Sequence, residues 1–365
     1  MEIGNVTLRS KGINILTSAI HPKHGLVWTD GKCIFLARFK IVKNQVEHGK
    51  SVKLKEFDSV RCVQWSQTDG ICYLSIAHKE CVTVWKVEGE VPRLEFKQIR
   101  KISIQILPQG CQWNPCREVL CLLSRHQVRF FYRHGKTRGC YAIPALESGR
   151  ITCGSWSKDG LKLVVCVGSA LLIYSWKSID CAISEFETHA WNVPKLNGDI
   201  TAIASMTTNL FALAAEVPIS SFCLPSNVFV LSDSSSSRLG SSDSNGNENQ
   251  IIEVPEMTNT QKLMNLKQNP ELQENNLSRL VIIHVKDDMK DLEYVTNVSI
   301  KEIISPDILH YETARNVLVI GSNTHPRLQL FTLTSDKELL KLANVVNEIF
   351  FFSFSFLYTS ANRIK

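Results

Sequence analysis

The chain has 365 residues, 44% of them hydrophobic and 21% charged, the composition of a packed protein rather than one disordered throughout. Its formal charge of +6, from 41 Lys+Arg against 35 Asp+Glu, is small for this length. No block of like charge stands out, so a dedicated nucleic-acid surface is not expected.

The N-terminus reads MEIGNVTLRSKGINILTSAIHP. It shows neither an apolar run of signal-peptide length nor a small-residue cleavage site, so the expected location is cytoplasmic. In that reducing setting the 12 cysteines are expected as free thiols. Cys62, Cys72, Cys153 and Cys166 lie in apolar, strand-like runs, where they act as small hydrophobes. His21 and His24 form a His-x-x-His pair that could be half a metal site. No carboxylate or cysteine pair flanks it, and the expectation is a structural or solvated pair, with no metal-ligating residue.

A repeat begins with Trp28-Thr29-Asp30-Gly31. The next copy runs from Trp65 through Ser66-Gln67-Thr68-Asp69-Gly70 to Trp85. A third starts at Trp113-Asn114-Pro115 and ends at Tyr132. A fourth runs from Trp156-Ser157-Lys158-Asp159-Gly160 to Trp176. A weaker copy without tryptophan fills 201–223, and a last one spans Tyr311 to Phe331. In each, an aromatic closes a first strand, a polar turn follows, and an apolar strand leads to an alternating strand that ends in an aromatic. The starts at 28, 65, 113 and 156 are separated by intervals that bracket the ~40–45-residue blade of a WD-type propeller. The expected fold is all-β: a degenerate WD-repeat β-propeller with about six blades visible, incomplete at the C-terminus. The Trp-Asp and Gly-His pairs of ordinary WD repeats are absent, since Trp85 precedes Lys86 and Trp176 precedes Lys177. The usual Asp–His–Ser–Trp brace is therefore not expected, and blade stability must come mainly from apolar burial between sheets.

The domain reading is 1–231 for blades one to five, 232–278 for a disordered polar insert, 279–347 for the final blade region and 348–365 for an apolar tail. Within the insert, SDSSSSRLGSSDSNGNENQ (232–250) cannot bury enough apolar area to offset chain entropy. It reads as a passive loop, with a phosphorylated docking segment as the alternative. The tail contains FFFSFSF (350–356), a run suited to pyrimidine-rich codons, and is expected to be non-homologous and prone to aggregation. At ten residues, the apolar stretch 349–358 is about half of the roughly 20 needed to span a membrane.

Four segments carry a more specific likeness: GINILTSAIHPKHGLVWTDG (12–31), CVTVW (81–85), ILPQGCQWNP (106–115) and GRITCGSWSKDGLKLVVCVGSALLIYSW (149–176). Together they resemble the WD repeat and coiled-coil-containing protein family, and IISPDIL…NVLVIGSNT (303–324) repeats the likeness more faintly. The resemblance implies a non-catalytic scaffold with an N-terminal propeller and a tail carrying proline-rich segments and a coiled coil. It also implies self-association and binding to a Src-family tyrosine kinase through its SH3 domain. No Pro-x-x-Pro occurs among the 12 prolines and no heptad run appears.

No Gly-x-Gly-x-x-Gly, Gly-x-x-x-x-Gly-Lys or Gly-x-Ser-x-Gly occurs. No catalytic, cofactor-binding or metal residue is therefore assigned, no cofactor is expected, and an enzyme with a convergent site is the less favoured class. Neither nucleic acid nor membrane insertion is expected. The alternative function is binding of phosphoinositide or another anionic ligand through the basic loop Arg133-His134-Gly135-Lys136-Thr137-Arg138. The polar insert yields the first prediction. Light digestion with trypsin or Glu-C should cut first within 232–278, and cleavage of the blades while that stretch resists would contradict the reading.

Overall fold

The computed structural model describes residues 18–216 and 278–346, apart from short stretches at 43–44, 49–50, 67–70, 91–92, 135–136, 145–148, 194–195, 197, 288–290, 301–302, 304 and 323–326. The expected apolar tail at 348–365 and nearly all of the polar insert lie outside the described residues.

The described strands form six four-stranded antiparallel sheets and one small hairpin. The first sheet uses Ser18–His21, Gly25–Thr29, Cys33–Ala37 and Val52–Glu56, with the hairpin Phe39–Val42/Gln45–His48 between its third and fourth strands. Cys62–Trp65, Cys72–Ala77, Cys81–Glu90 and Arg93–Ser103 build the second. Cys111–Trp113, Val119–Leu123, Gln127–His134 and Thr137–Pro144 build the third. The fourth consists of Ile151–Trp156, Lys162–Val167, Ala170–Ser175 and Glu187–Asn192. No helix occurs among these residues, and so none is long and apolar enough to cross a membrane. This is the expected all-β propeller architecture.

The physical reason lies in the strand sequences. Alternate side chains of a strand point to opposite faces of its sheet. In the fourth sheet, Val164, Cys166, Leu171 and Ile173 enter a core shared with the fifth sheet. Their neighbours Leu163, Val165, Leu172 and Tyr174 enter a core shared with the third. In the third sheet, Leu120 and Leu122 pack toward the second, while Val119, Cys121 and Leu123 pack toward the fourth. A sheet buried on both faces needs continuous apolar runs such as VLCLL and KLVVCV, with no polar alternation.

Polar side chains fold the turn after the first strand of the third, fourth and sixth sheets. Asn114 Oδ1 accepts the backbone N–H groups of Cys116 (2.9 Å) and Arg117 (3.1 Å). Ser157 Oγ accepts Lys162 N–H at 2.8 Å, and Asp159 Oδ1 accepts Leu161 N–H at 3.1 Å. Gly160 takes a positive φ of 69° there. Glu312 accepts the N–H groups of Ala314 (3.0 Å) and Arg315 (2.7 Å). Asn114 Nδ2 also donates to Gly160 O at 2.8 Å, which ties the third sheet's turn to the fourth's. These short side chains satisfy backbone groups that a strand ladder would otherwise leave unpaired.

The structure shifts two boundaries. Trp28 lies in the second strand of the first sheet, paired with Phe35 in the third, so its Thr-Asp-Gly forms the next turn. His21 closes the first strand in the place that Trp65 holds in the second sheet. Residues 279–347 do not form one final blade. Asp199–Ser205 and Leu210–Glu216 pair with Ser278–Val285 and Leu292–Ile300 to make the fifth sheet. The sixth consists of Ile308–Glu312, Val317–Gly321, Arg327–Leu333 and Leu339–Val346. The insert thus leaves the fifth sheet between its second and third strands. Ser278 is a buried strand residue that pairs with Glu216, not the end of a loop.

Trp65, Trp85, Trp113, Trp156 and Trp176 are all buried. Trp156 sits in the core between the third and fourth sheets, with its ring 5.5 Å from Trp176 and 6.0 Å from Phe130. Trp156→Ala should destabilise the fold by ~3–5 kcal/mol. Denaturant unfolding checks this, and a midpoint within error of wild type would refute the placement.

Candidate functional site

Three groups of polar side chains stand apart from the apolar framework. The first lies where the first and second sheets meet. Pro22 and Lys23 form the turn after the first strand, and this turn brings His21 and His24 side by side with ring centroids 5.2 Å apart. Lys23 N–H and His24 N–H point at His21 Nδ1 (3.2 and 3.4 Å), which turns the opposite ring nitrogen outward from the turn. His21 Nε2 lies 3.5 Å from Cys72 Sγ, at the start of the second sheet's second strand. His24 is buried and stacks on Trp65 at 5.4 Å, and the His21 ring lies 5.3 Å from the same indole. Burial raises the Cys72 thiol above the ordinary cysteine range, partly opposed by the charge of Lys23. A ligand atom from each of His21, His24 and Cys72 lies within 4.8 Å of the others. The local spacing of the two histidines did not disclose this partner, because Cys72 is 51 residues from His21.

The second group braces the second sheet. His78 reaches Ser59 O at 2.7 Å through Nδ1 and Thr83 Oγ1 at 2.9 Å through Nε2. Trp85 Nε1–H donates to the same Thr83 hydroxyl at 2.9 Å. Burial lowers His78 below the ordinary histidine range. A histidine–hydroxyl–tryptophan chain therefore exists in the second sheet despite the missing Gly-His and Trp-Asp pairs, a polar brace beside the expected, mainly apolar, burial. Thr83, two residues before the tryptophan on the same strand, supplies the hydroxyl. Beside it opens a groove of about 400 Å³ lined by residues that include Lys55, Phe57, Lys79, Glu80 and Lys101. Lys55 Nζ sits 4.4 Å over the Trp85 ring, a cation–π contact.

The third group lies on the turn side of the fourth and sixth sheets, where Lys158, His310 and Glu312 share one electrostatic neighbourhood. Burial, reinforced by Lys158 and opposed by Glu312, pushes His310 down to about 4. Burial also lowers Lys158, with Glu312 opposing. Two side chains reach the linker before the sixth sheet: Gln109 Nε2 donates to Asp307 O (2.8 Å) and Thr201 Oγ1 to Pro306 O (2.8 Å).

The side chains of the basic loop 133–138 lie outside the described residues. Its described backbone belongs to the third and fourth strands of the third sheet, with Arg133 paired to Arg138 and His134 to Thr137. None of the three groups holds a nucleophile, base and orienting residue in sequence.

Comparison with known proteins follows from this geometry. The profile of the WD repeat and coiled-coil-containing protein family matches residues 2–239. A protein of that name from Xenopus laevis is 28% identical over 378 residues, covering 92% of this chain and 51% of its own length. The Homo sapiens protein is 30% identical over 239 residues, covering 61% of this chain and 32% of its own. The chain thus spans about half the length, or less, of these curated relatives. Among solved structures, a Lactobacillus plantarum protein has a TM-score of 0.55 at 12% identity and covers 91% of this chain and 84% of its own. Chaetomium thermophilum Sqt1 has 0.53 at 13%, covering 89% and 70%. A Bacteroides uniformis protein carrying a 6-phosphogluconolactonase name has 0.51 at 9%, covering 88% and 82%. Identities this low show the fold alone.

His310 sets a pH dependence. Its folded value of about 4 lies below the unfolded value near 6.5, so the native state holds the imidazole neutral. Below pH 6.5 the unfolded chain takes up a proton that the native state refuses, and stability falls as pH drops from 6.5 toward 4. His310→Gln should flatten that part of the curve of melting temperature against pH. An unchanged slope would show that His310 is not the group responsible.

Proposed function

The chain belongs to the WD repeat and coiled-coil-containing protein family, and on that premise we propose that it is a non-catalytic, cytoplasmic protein-interaction scaffold. The carrying observation is the distribution of its chemistry. Apolar side chains fill most of the space between sheets, while the ionisable groups described above lie at the junction of the first two sheets, in the groove beside it and on the turn side of the fourth and sixth sheets. Such a surface offers varied contacts, and among the described residues no nucleophile, base and orienting residue stand in line.

Fold analogy supports the reading. One solved form of Chaetomium thermophilum Sqt1, at TM-score 0.51 and 13% identity, is bound to the N-terminus of the ribosomal protein L10. A short protein segment is the corresponding kind of partner here. The groove favours an acidic or aromatic one, since Lys55, Lys79 and Lys101 outnumber Asp58 and Glu80 among its charged residues and Phe57 adds an apolar surface. The eleven described cysteines are all free, which suits a reducing compartment.

Recognition of a Src-family SH3 domain and self-association are the finer family-implied activities. A polyproline contact needs a Pro-x-x-Pro that these 365 residues lack. We therefore assign kinase recognition and the coiled coil to the half of the family's length that this chain does not match.

Proximity labelling should be run in parallel on the 365-residue chain, its Lys79→Glu/Lys101→Glu variant and a full-length relative. The chain should share a set of partners with the relative, the double variant should lose part of that set, and only the relative should label a Src-family kinase. Titration of the chain with a Src-family SH3 domain should show no micromolar binding. Micromolar binding would overturn this division of labour. Capture by phosphoinositide vesicles together with an empty shared set would favour the anionic-ligand reading.

A further inference from the structure

The geometry points to a transition-metal site, of zinc type, held by His21 and His24 of the first sheet's turn and Cys72 of the second sheet. Its ligand set is two imidazoles and one sulfur. Those donors suit a borderline-soft ion such as Zn²⁺ and do not suit Mg²⁺ or Ca²⁺, which take oxygen.

The spacing fits. Zinc bonds of ~2.0–2.1 Å to nitrogen and ~2.3 Å to sulfur, at a tetrahedral angle, place the two donor atoms about 3.6 Å apart. His21 Nε2 and Cys72 Sγ are 3.5 Å apart. The whole set lies within 4.8 Å, so one imidazole needs only a small movement to complete a three-ligand face. The site is also well supported. Pro22 restricts the turn that presents both histidines, and Trp65, 3% exposed, underlies both rings. A wall of low polarity strengthens the attraction between ion and ligands. Three protein ligands leave a fourth tetrahedral corner for water or for a donor from a partner.

Proton accounting is explicit. In the metal-free protein His21 Nδ1 receives two backbone N–H groups, so the neutral ring carries its proton on Nε2, directed at the sulfur. Loading uses the Nε2 lone pair. The ring proton moves to Nδ1, and the two long amide contacts at 3.2 and 3.4 Å are given up. The Cys72 thiol loses its proton to solvent. One proton leaves per ion bound, no electron moves, and affinity falls as pH falls. A site that clamps the first sheet to the second would also stabilise their junction.

The test uses the full 365-residue chain, stripped with chelator and titrated with Co²⁺ and Zn²⁺ separately. One equivalent of Co²⁺ should give tetrahedral visible bands and a near-ultraviolet sulfur-to-cobalt charge-transfer band, and Zn²⁺ should displace it. Zn²⁺ should also raise the melting temperature. Cys72→Ser should abolish the charge-transfer band and weaken zinc binding at least tenfold. His24→Ala should weaken binding to a similar degree, whereas Cys116→Ser, which removes an exposed thiol elsewhere, should change neither. Melting of each variant in chelator, matched to metal-free wild type, separates lost binding from lost folding. If the site variants do not fold, the wild-type cobalt spectrum decides alone. A spectrum without a sulfur band at one equivalent, or binding unchanged in folded Cys72→Ser, overturns the proposal.

Discussion

Every feature of this fold depends on burying both faces of a sheet at once. A four-stranded sheet with two apolar faces has no stable existence in water, so each sheet needs a neighbour on either side. Five continuous apolar cores, one between each successive pair of sheets, satisfy that need for the second to fifth sheets. The requirement explains the composition of the second strands, which are almost wholly apolar. It also explains why the second strands carry few ionisable side chains. The outermost strand of the second sheet, Arg93–Ser103, is mostly exposed, with Ile102 alone buried in the core shared with the third sheet.

Polar bracing is present but redistributed. In the second sheet it runs from Ser59 O through His78 and Thr83 to Trp85. At the junction with the third sheet, Ser75 Oγ donates to Gln64 O at 3.1 Å and receives Trp113 Nε1–H at 3.1 Å. In the fourth, Trp176 Nε1–H donates to Ile183 O at 3.2 Å. A buried indole N–H is stabilised by an acceptor, and each of these three finds a different one, whereas the Nε1 atoms of the buried Trp28, Trp65 and Trp156 have no hydrogen-bond partner. Without the repeat's signature residues, the hydrogen bonds are kept at Trp85, Trp113 and Trp176 and missing at Trp28, Trp65 and Trp156.

What could be read from the sequence followed the same physics. Trp65, Trp113 and Trp156 each close a first strand, and the turns behind Trp113 and Trp156 are legible because Asn114, Ser157, Asp159 and Gly160 bond or bend the backbone there. The first sheet was read one strand out of phase because Trp28 attracts attention and His21, the residue in the equivalent place, does not. The fifth sheet was obscured because 61 residues, 217–277, separate its paired second and third strands. Pairing over such a span leaves no local signal. The group of His21, His24 and Cys72 was half visible for a similar reason: a turn joins the histidines, but only the packing of two sheets brings in the cysteine. The Thr83 link could have been found from the Thr-x-Trp spacing on a strand, where residues two apart share a face.

The scaffold reading and the cooperative fold rest on one proposition, that the sheets stand or fall together through their shared cores. Native-state hydrogen exchange tests it most directly, measured on the amides of 72–77, 119–123, 162–167, 210–216 and 317–321 in wild type and in Leu213→Ala, which thins the core between the fourth and fifth sheets. If the cores couple the sheets, the slowest amides in all five segments exchange through one common opening, and the substitution lowers their protection by the same amount. Loss of protection confined to 162–167 and 210–216, with 72–77 unchanged, would contradict the account and show sheets that fold independently.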